Sequence, residues 1–199
     1  MNLHRSCLAA FAVLLIAIVS PLYSINASEN SCENGKFIFG FQQSDEMNKW
    51  IIVNDGVMGG LSQSELIFSE RNTAIFQGIV SLENNGGFSS TRTKPQVYNL
   101  GGYHGMLLRL RGDGKKYQFR LRTNDRFDGI SYRYHFNTKI NTWMIIRVPF
   151  QECVPVFRGR ILDNVKPIIP KDIQQIGFLI SDKQAGPFKL EIDWMKAYK

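Results

Sequence analysis

Ile130-Ser-Tyr-Arg-Tyr-His-Phe136 alternates apolar and polar residues without a break. Ile130, Tyr132, Tyr134 and Phe136 fall on one side; Ser131, Arg133 and His135 fall on the other. A period of two belongs to a β-strand with one buried face, because successive side chains leave opposite faces of the pleat. The same alternation runs through Tyr117–Arg122 and through Phe188–Trp194. In the last of these, Glu191 and Asp193 are expected as solvated residues opposite a core face that includes Trp194.

Outward from these stretches, strand signals recur at roughly ten-residue intervals, the spacing of an all-β domain. They cover Lys36–Phe41, Trp50–Val53, Ser64–Ser69, Thr73–Val80, Phe88–Thr93, Leu107–Arg111, Met144–Val148 and Ile176–Ile180. Glu70-Arg71-Asn72 reads as a hairpin turn and Gly112-Asp113-Gly114 as another. Gln151–Asp172 carries three prolines and reads as a long surface connection. No window of about twelve residues holds a helical period. These features predict an all-β fold, an antiparallel two-sheet sandwich of the jelly-roll kind.

The first residues have a different character. Met1–Arg5 is short and positive, and Cys7–Val19 is apolar, within the ~7–15 residues of a signal h-region. Ser20-Pro21 breaks the run and Ala27 offers a small residue at a cleavage point. The expected organisation is a signal peptide over 1–27, a loose segment over 28–35 and a jelly-roll domain over 36–199. The mature chain then carries no transmembrane segment and is expected to be exported, periplasmic or secreted. Cys32 and Cys153 are the cysteines left after cleavage. A bridge between them would close a loop of about 120 residues, worth ~4–5 kcal/mol if unstrained. Two separate buried thiols fit the spacing equally.

A net charge of +7 permits an acidic partner without demanding one, and no nucleic acid is expected. No His or Cys spacing suits zinc. Asn54, Asp55, Asp113 and Asp193 supply oxygens for calcium in principle, but no loop has the ligand pattern, so no metal or other cofactor is expected. No nucleophile elbow or P-loop occurs, and the chain is not expected to be an enzyme. Two groups of residues are candidates for binding. Asp55, Met58, Ser62, Ser89, Lys183 and Gln184 lie in Gly-rich turns that look as if they meet. Arg109, Arg111, Arg120, Arg122 and Arg133 take the polar side of strands expected to be neighbours. They would form one basic face for an acidic or sugar-phosphate partner, or a solvated face paired with neighbouring carboxylates.

Several segments together resemble a known family: Trp50, Asn54-Asp-Gly-Val-Met-Gly-Gly-Leu-Ser62, Phe76 with Gly78, Glu83-Asn-Asn-Gly-Gly-Phe-Ser-Ser90, Gly112-Asp113-Gly114 with Tyr117, Trp143 with Pro149-Phe150, Phe157-Arg158-Gly159, and Asp182-Lys-Gln-Ala-Gly-Pro-Phe188. The combination is similar to the complex I intermediate-associated protein 30 family over about residues 36–197. The resemblance implies a galactose-binding-domain-like jelly roll. It implies a non-catalytic, chaperone-like assembly module acting on a protein partner. A carbohydrate-binding module is the alternative, with Tyr132, Tyr134 and Trp143 as aromatics that could stack on a glycan. The family's mitochondrial members assist assembly of respiratory complex I, whereas the N-terminal signal points to export.

Overall fold

The structure, a computed structural model, describes residues 35–199. The expected signal peptide over 1–27 and Cys32 lie outside the described residues.

The alternating stretches form strands where the period requires. Tyr117, Phe119 and Leu121 of β7 (Lys116–Arg122) stand opposite Phe136, Tyr134 and Tyr132 of β8 (Ser131–Asn137) in antiparallel register. Tyr117, Phe119 and Leu121 are fully buried, so this face is core. The other strands are β1 (Lys36–Phe39), β2 (Trp50–Ile52), β3 (Gln63–Phe68), β4 (Ala74–Val80), β5 (Ser89–Thr93), β6 (Gly105–Arg111), β9 (Trp143–Pro149), β10 (Val154–Phe157), β11 (Arg160–Ile161), β12 (Gln175–Ile180) and β13 (Gly186–Tyr198). One sheet runs β3-β4-β13-β6-β9, with β1 on the C-terminal part of β13. The second runs β11-β10-β8-β7-β12-β5-β2. Both are antiparallel, and their inner faces enclose one aromatic core. Phe188 of the first sheet meets Phe76 at 4.9 Å and Tyr117 of the second sheet at 6.5 Å between ring centroids. Phe39 meets Trp50 at 5.2 Å. No helix of the described residues is long and apolar enough to cross a membrane.

Three local readings are corrected. Gly112-Asp113-Gly114 is not a hairpin turn, because β6 lies in one sheet and β7 in the other. It is a crossover, and Asp113 fixes it by accepting from the Tyr117 hydroxyl at 3.1 Å and from the Lys189 N–H at 2.9 Å. The segment 151–172 is not only connection. Val154-Pro-Val-Phe157 pairs with β8, because its β-branched and aromatic residues favour a strand and a proline is tolerated near a sheet edge. Third, β13 contains a bulge. Ile192 pairs with Leu110 but Trp194, not Asp193, pairs with Arg109. The extra residue shifts the alternation, so Ile192 and Met195 are both buried and Trp194 turns away from the core. Glu191, expected in solvent, is itself buried.

Candidate functional site

Asp55 lies in a short 3-10 turn, Asp55–Met58, between β2 and β3. Its side chain is fully buried. One carboxylate oxygen accepts from the Ser62 N–H at 2.9 Å; the other accepts from the Ser62 hydroxyl at 2.5 Å, the Gly87 N–H at 2.6 Å and the Phe88 N–H at 3.2 Å. A carboxylate offers about four lone-pair positions, and these four donors, three of them crowded on one oxygen, satisfy most of that capacity. Burial by itself would push the Asp55 carboxyl up; the hydrogen bonds from Ser62, Gly87 and Phe88 outweigh it and hold the group below the usual carboxylate range. The clamp needs small neighbours: a Cβ on Gly60 would run into the Asp55 side chain, and one on Gly86 would sit 2.7 Å from its oxygen. Ser62 continues the stitching by accepting from the Ser81 N–H at 3.0 Å. A buried carboxylate held by four donors from its own loops is a structural tie; this cluster joins three loops.

The candidate partner residues therefore separate. Asp55, Ser62 and Ser89 are buried and cannot meet a partner, because they face the loop junction rather than solvent. Gln184 is half-buried and holds its own loop, accepting from the Lys116 N–H at 3.0 Å and donating to the Lys116 carbonyl at 2.8 Å. Met58 and Lys183 are exposed as expected. The Gly86–Ser90 segment does join the Asp55 loop, whereas Gly112–Gly114 and Asp182–Phe188 meet each other through Asp113, Lys116, Gln184 and Lys189. Of the apolar tips of the clamped loops, sequence reasoning singled out Met58 but not Val57, Leu61 or Leu82. Val57 is 62% exposed, Met58 60%, Leu61 51% and Leu82 45%. Their signal was present: four large apolar residues inside turn-forming segments with no strand period to bury them.

The five arginines do not share a face. Arg109 and Arg111 stand on β6 and pair with Asp193 and Glu191 of β13 in the first sheet. Glu191 also accepts from the Thr73 hydroxyl at 2.9 Å. The two guanidiniums lie 4.6 and 4.9 Å from the Trp143 ring centre. Arg120, Arg122 and Arg133 stand on the outward side of the second sheet. The single basic strip fails because β6 and β7, adjacent in sequence, part at the crossover. Tyr132 is buried with its hydroxyl donating to the Lys166 carbonyl at 3.0 Å, and Tyr134 packs on the core. Cys153 is buried, which pushes its thiol up to about 12. Among the described residues no group of three or more His, Cys, Asp or Glu side chains could hold a metal.

A family model described as Complex I intermediate-associated protein 30 matches residues 39–192. The chain is 27% identical over 186 residues to the mouse protein named "Complex I intermediate-associated protein 30, mitochondrial", covering 83% of this chain and 57% of that one. It is 28% identical over 180 residues to the Drosophila melanogaster protein of the same name, covering 79% and 61%. The chain thus spans somewhat over half the length of the curated relatives it matches. These names correct the localisation reading: the relatives are mitochondrial, not periplasmic or secreted. Among solved structures, a family 11 carbohydrate-binding module from Clostridium thermocellum, in complex with a mixed-linked tetrasaccharide, superposes with a TM-score of 0.62 at 14% identity. The match covers 82% of this chain and 94% of that one. A second family 11 module, from a cellulosomal cellulase of the same organism, gives 0.60 at 12% identity, covering 83% and 95%. At this identity the likeness is one of fold, a β-sandwich.

Proposed function

The chain belongs to the complex I intermediate-associated protein 30 family, and from that premise we propose that it is a non-catalytic, chaperone-like module that holds a protein partner during assembly of complex I. The observation that carries this reading is the set of apolar side chains Val57, Met58, Leu61 and Leu82, exposed on loops that Asp55 ties together. Exposed apolar groups on a rigid base suit a protein interface, since little ordering entropy is lost when they are covered. The internally bonded state of Asp55 supports a module without a reaction of its own.

The test is capture of complex I subunits from detergent-solubilised respiratory membranes on the immobilised full chain. The wild type should retain them. The double variant Met58→Asp/Leu61→Asp should retain at least about tenfold less, the scale set by un-burying two apolar side chains. Its melting temperature should stay within roughly 2 °C of wild type, as for most exposed sites. Capture of no complex I subunit by the wild type would overturn the reading. Equal capture by the variant would remove the apolar tips from it. The glycan alternative has less support: Tyr132 and Tyr134 turn to the core, and Trp143 is occupied by two guanidiniums.

A further inference from the structure

The outward face of the second sheet concentrates cations that form no direct ion pair; Asp128 and Asp182, each paired with another cation, act on them only at longer range. Across β5, β12, β7 and β8, Arg92 stands opposite Gly177, Gly177 opposite Arg120, and Arg120 opposite Arg133. Arg122 follows Arg120 on the same side of β7. Among the described residues the ion pairs are Arg109–Asp193, Arg111–Glu191, Lys116–Asp182 and Arg158–Asp128, and none reaches this row. Its guanidiniums find only neutral acceptors. Arg92 donates to the Phe127 carbonyl at 2.8 Å and Arg122 to the Gly129 carbonyl at 3.0 Å. Arg120 forks onto the Gln118 side-chain oxygen at 2.7 and 3.1 Å and reaches the Ser131 hydroxyl at 3.2 Å.

Arg92 is recessed, and Arg120, Arg122 and Arg133 are half-buried. Arg92 is 8% exposed, with its Nε lacking any partner, and β12 is buried along its whole length, outward-facing Gln175 and Leu179 included. Burial and the neighbouring Arg122 pull Arg92 down to about 10 against a raising influence of Asp128; burial with Arg122 and Arg133 does the same to Arg120 against Asp182. Like charges set directly across a strand pair repel, and a buried cation without a directly paired counter-ion is unfavourable. Such an arrangement is relieved when an anion arrives. Gly177 lets the strands of Arg92 and Arg120 close up: a Cβ there would come within 2.5 Å of the Thr91 carbonyl oxygen and 2.8 Å of the Arg92 Cβ, so only glycine fits between the two arginines.

We propose that this face binds an extended acidic segment of the protein partner, its carboxylates seated on Arg92, Arg120, Arg122 and Arg133. The proposal rests on the protein-partner reading above and adds where and by what chemistry the partner is held. Arg120 and Arg122 repeat at about 6.8 Å, the distance between alternate side chains of an extended chain laid along the strand. Guanidinium forks also match carboxylates in shape. Single-stranded nucleic acid and sugars want rows of aromatic platforms; this sheet turns Tyr117, Phe119 and Tyr132 inward, and the exposed ring beside the row, Phe127, is stacked with Arg92 at 4.7 Å. A flat bilayer cannot reach the recessed Arg92, whereas a single extended chain can.

The test is fluorescence anisotropy of a labelled ten-glutamate peptide with the full chain, with heparin and phosphatidylglycerol-containing vesicles as separate arms. Expected are saturable peptide binding that weakens as salt rises, and at least about tenfold weaker binding by Arg120→Gln/Arg133→Gln at an unchanged melting temperature. Arg109→Gln, on the other sheet, should bind like wild type. Absence of saturable binding, equal binding by the double variant, or preference for heparin or vesicles over the peptide would overturn the proposal. The capture experiment separates it from the assembly reading. If the double variant retains complex I subunits as well as wild type, this face is not the contact and the assembly reading stands. If the peptide binds but wild type captures no subunit, the face stands and the assembly reading falls.

Discussion

Asp55 and the arginine row are opposite solutions to burying charge. Asp55 is an anion with no cation beside it, and it is well satisfied: one hydroxyl and three backbone N–H groups donate to its two oxygens. The row of Arg92, Arg120 and Arg133 is a set of cations with no anion in direct contact, Asp128 and Asp182 acting only at longer range, and it is incomplete: Arg92 Nε and the neighbouring His135 Nε2 are buried without partners. The difference teaches that a buried charge is not by itself a sign of function. A charge whose hydrogen bonds are met internally serves the fold, whereas like charges gathered on an outward face without paired counter-ions are suited to an anion from outside.

The largest test of that contrast is removal of the anion. Asp55→Ala leaves the Ser62, Gly87 and Phe88 donors buried and unmatched, and should cost about 3–5 kcal/mol in urea denaturation, where each lost partner is worth ~1–3 kcal/mol. Asp55→Asn keeps the shape but points an amide N–H at donors, and should lose most of the same amount. The acid dependence has a defined sign. The folded pKa of Asp55 is lowered, so its contribution is fully present above the unfolded value of about 3.9 and is lost as pH falls through the folded one. The gap between wild type and Asp55→Asn should therefore close below about pH 4. A cost under ~1 kcal/mol at pH 7 would mean that the loops hold together without the carboxylate.

Next in size is a pair that is both charged and complete. Glu191 is buried against Arg111 and Thr73, and Glu191→Gln should cost about 2–3 kcal/mol, because it leaves a partly buried guanidinium without its counter-ion. Arg120→Gln should behave otherwise. It removes a cation that repels Arg122 and Arg133, and stability should stay within ~1 kcal/mol of wild type or rise. If Arg120→Gln cost as much as Glu191→Gln, the two arginine sets would be equivalent and the open face would be a structural network after all.

This contrast was only partly legible in the sequence. Alternation identified β6, β7, β8 and β13 as strands and gave the sandwich, because burial on one face imposes a period of two whatever the partner strand. The pairing of strands is a different matter. Arg111 and Lys116 are separated by one short turn, yet their strands lie in different sheets, and nothing in the local period distinguishes a hairpin from a crossover. The bulge at Asp193 is one inserted residue, which a period count passes over while every later side chain changes face. Asp55 meets Gly87 across 32 positions, so its burial depended on a loop contact that no short window contains. Arg92 was missed for a related reason: in Phe88–Thr93 it is one polar residue among Ser and Thr, and only its register against Gly177 reveals its neighbours.

The smallest expected effect tests the open face through its pH dependence. His135 stands opposite Gln118, and its pKa is lowered first by burial, then by Lys116, Arg133 and Arg120, against a raising influence of Asp182. A depressed folded pKa means the unfolded chain takes up the proton first, so stability declines slightly as pH falls below the unfolded value of about 6.5. A bound carboxylate acts in the other direction, because it favours the protonated imidazole. Binding of the ten-glutamate peptide should therefore tighten between pH 7.5 and 6, by less than the roughly tenfold that a one-unit shift allows. In His135→Gln the affinity should become nearly independent of pH over that range, with the salt dependence kept. Tightening that survives in His135→Gln would assign the titration to another group. Weakening at lower pH in the wild type would mean that the peptide does not lie beside His135 and that the row is reached from its other end, near Arg92.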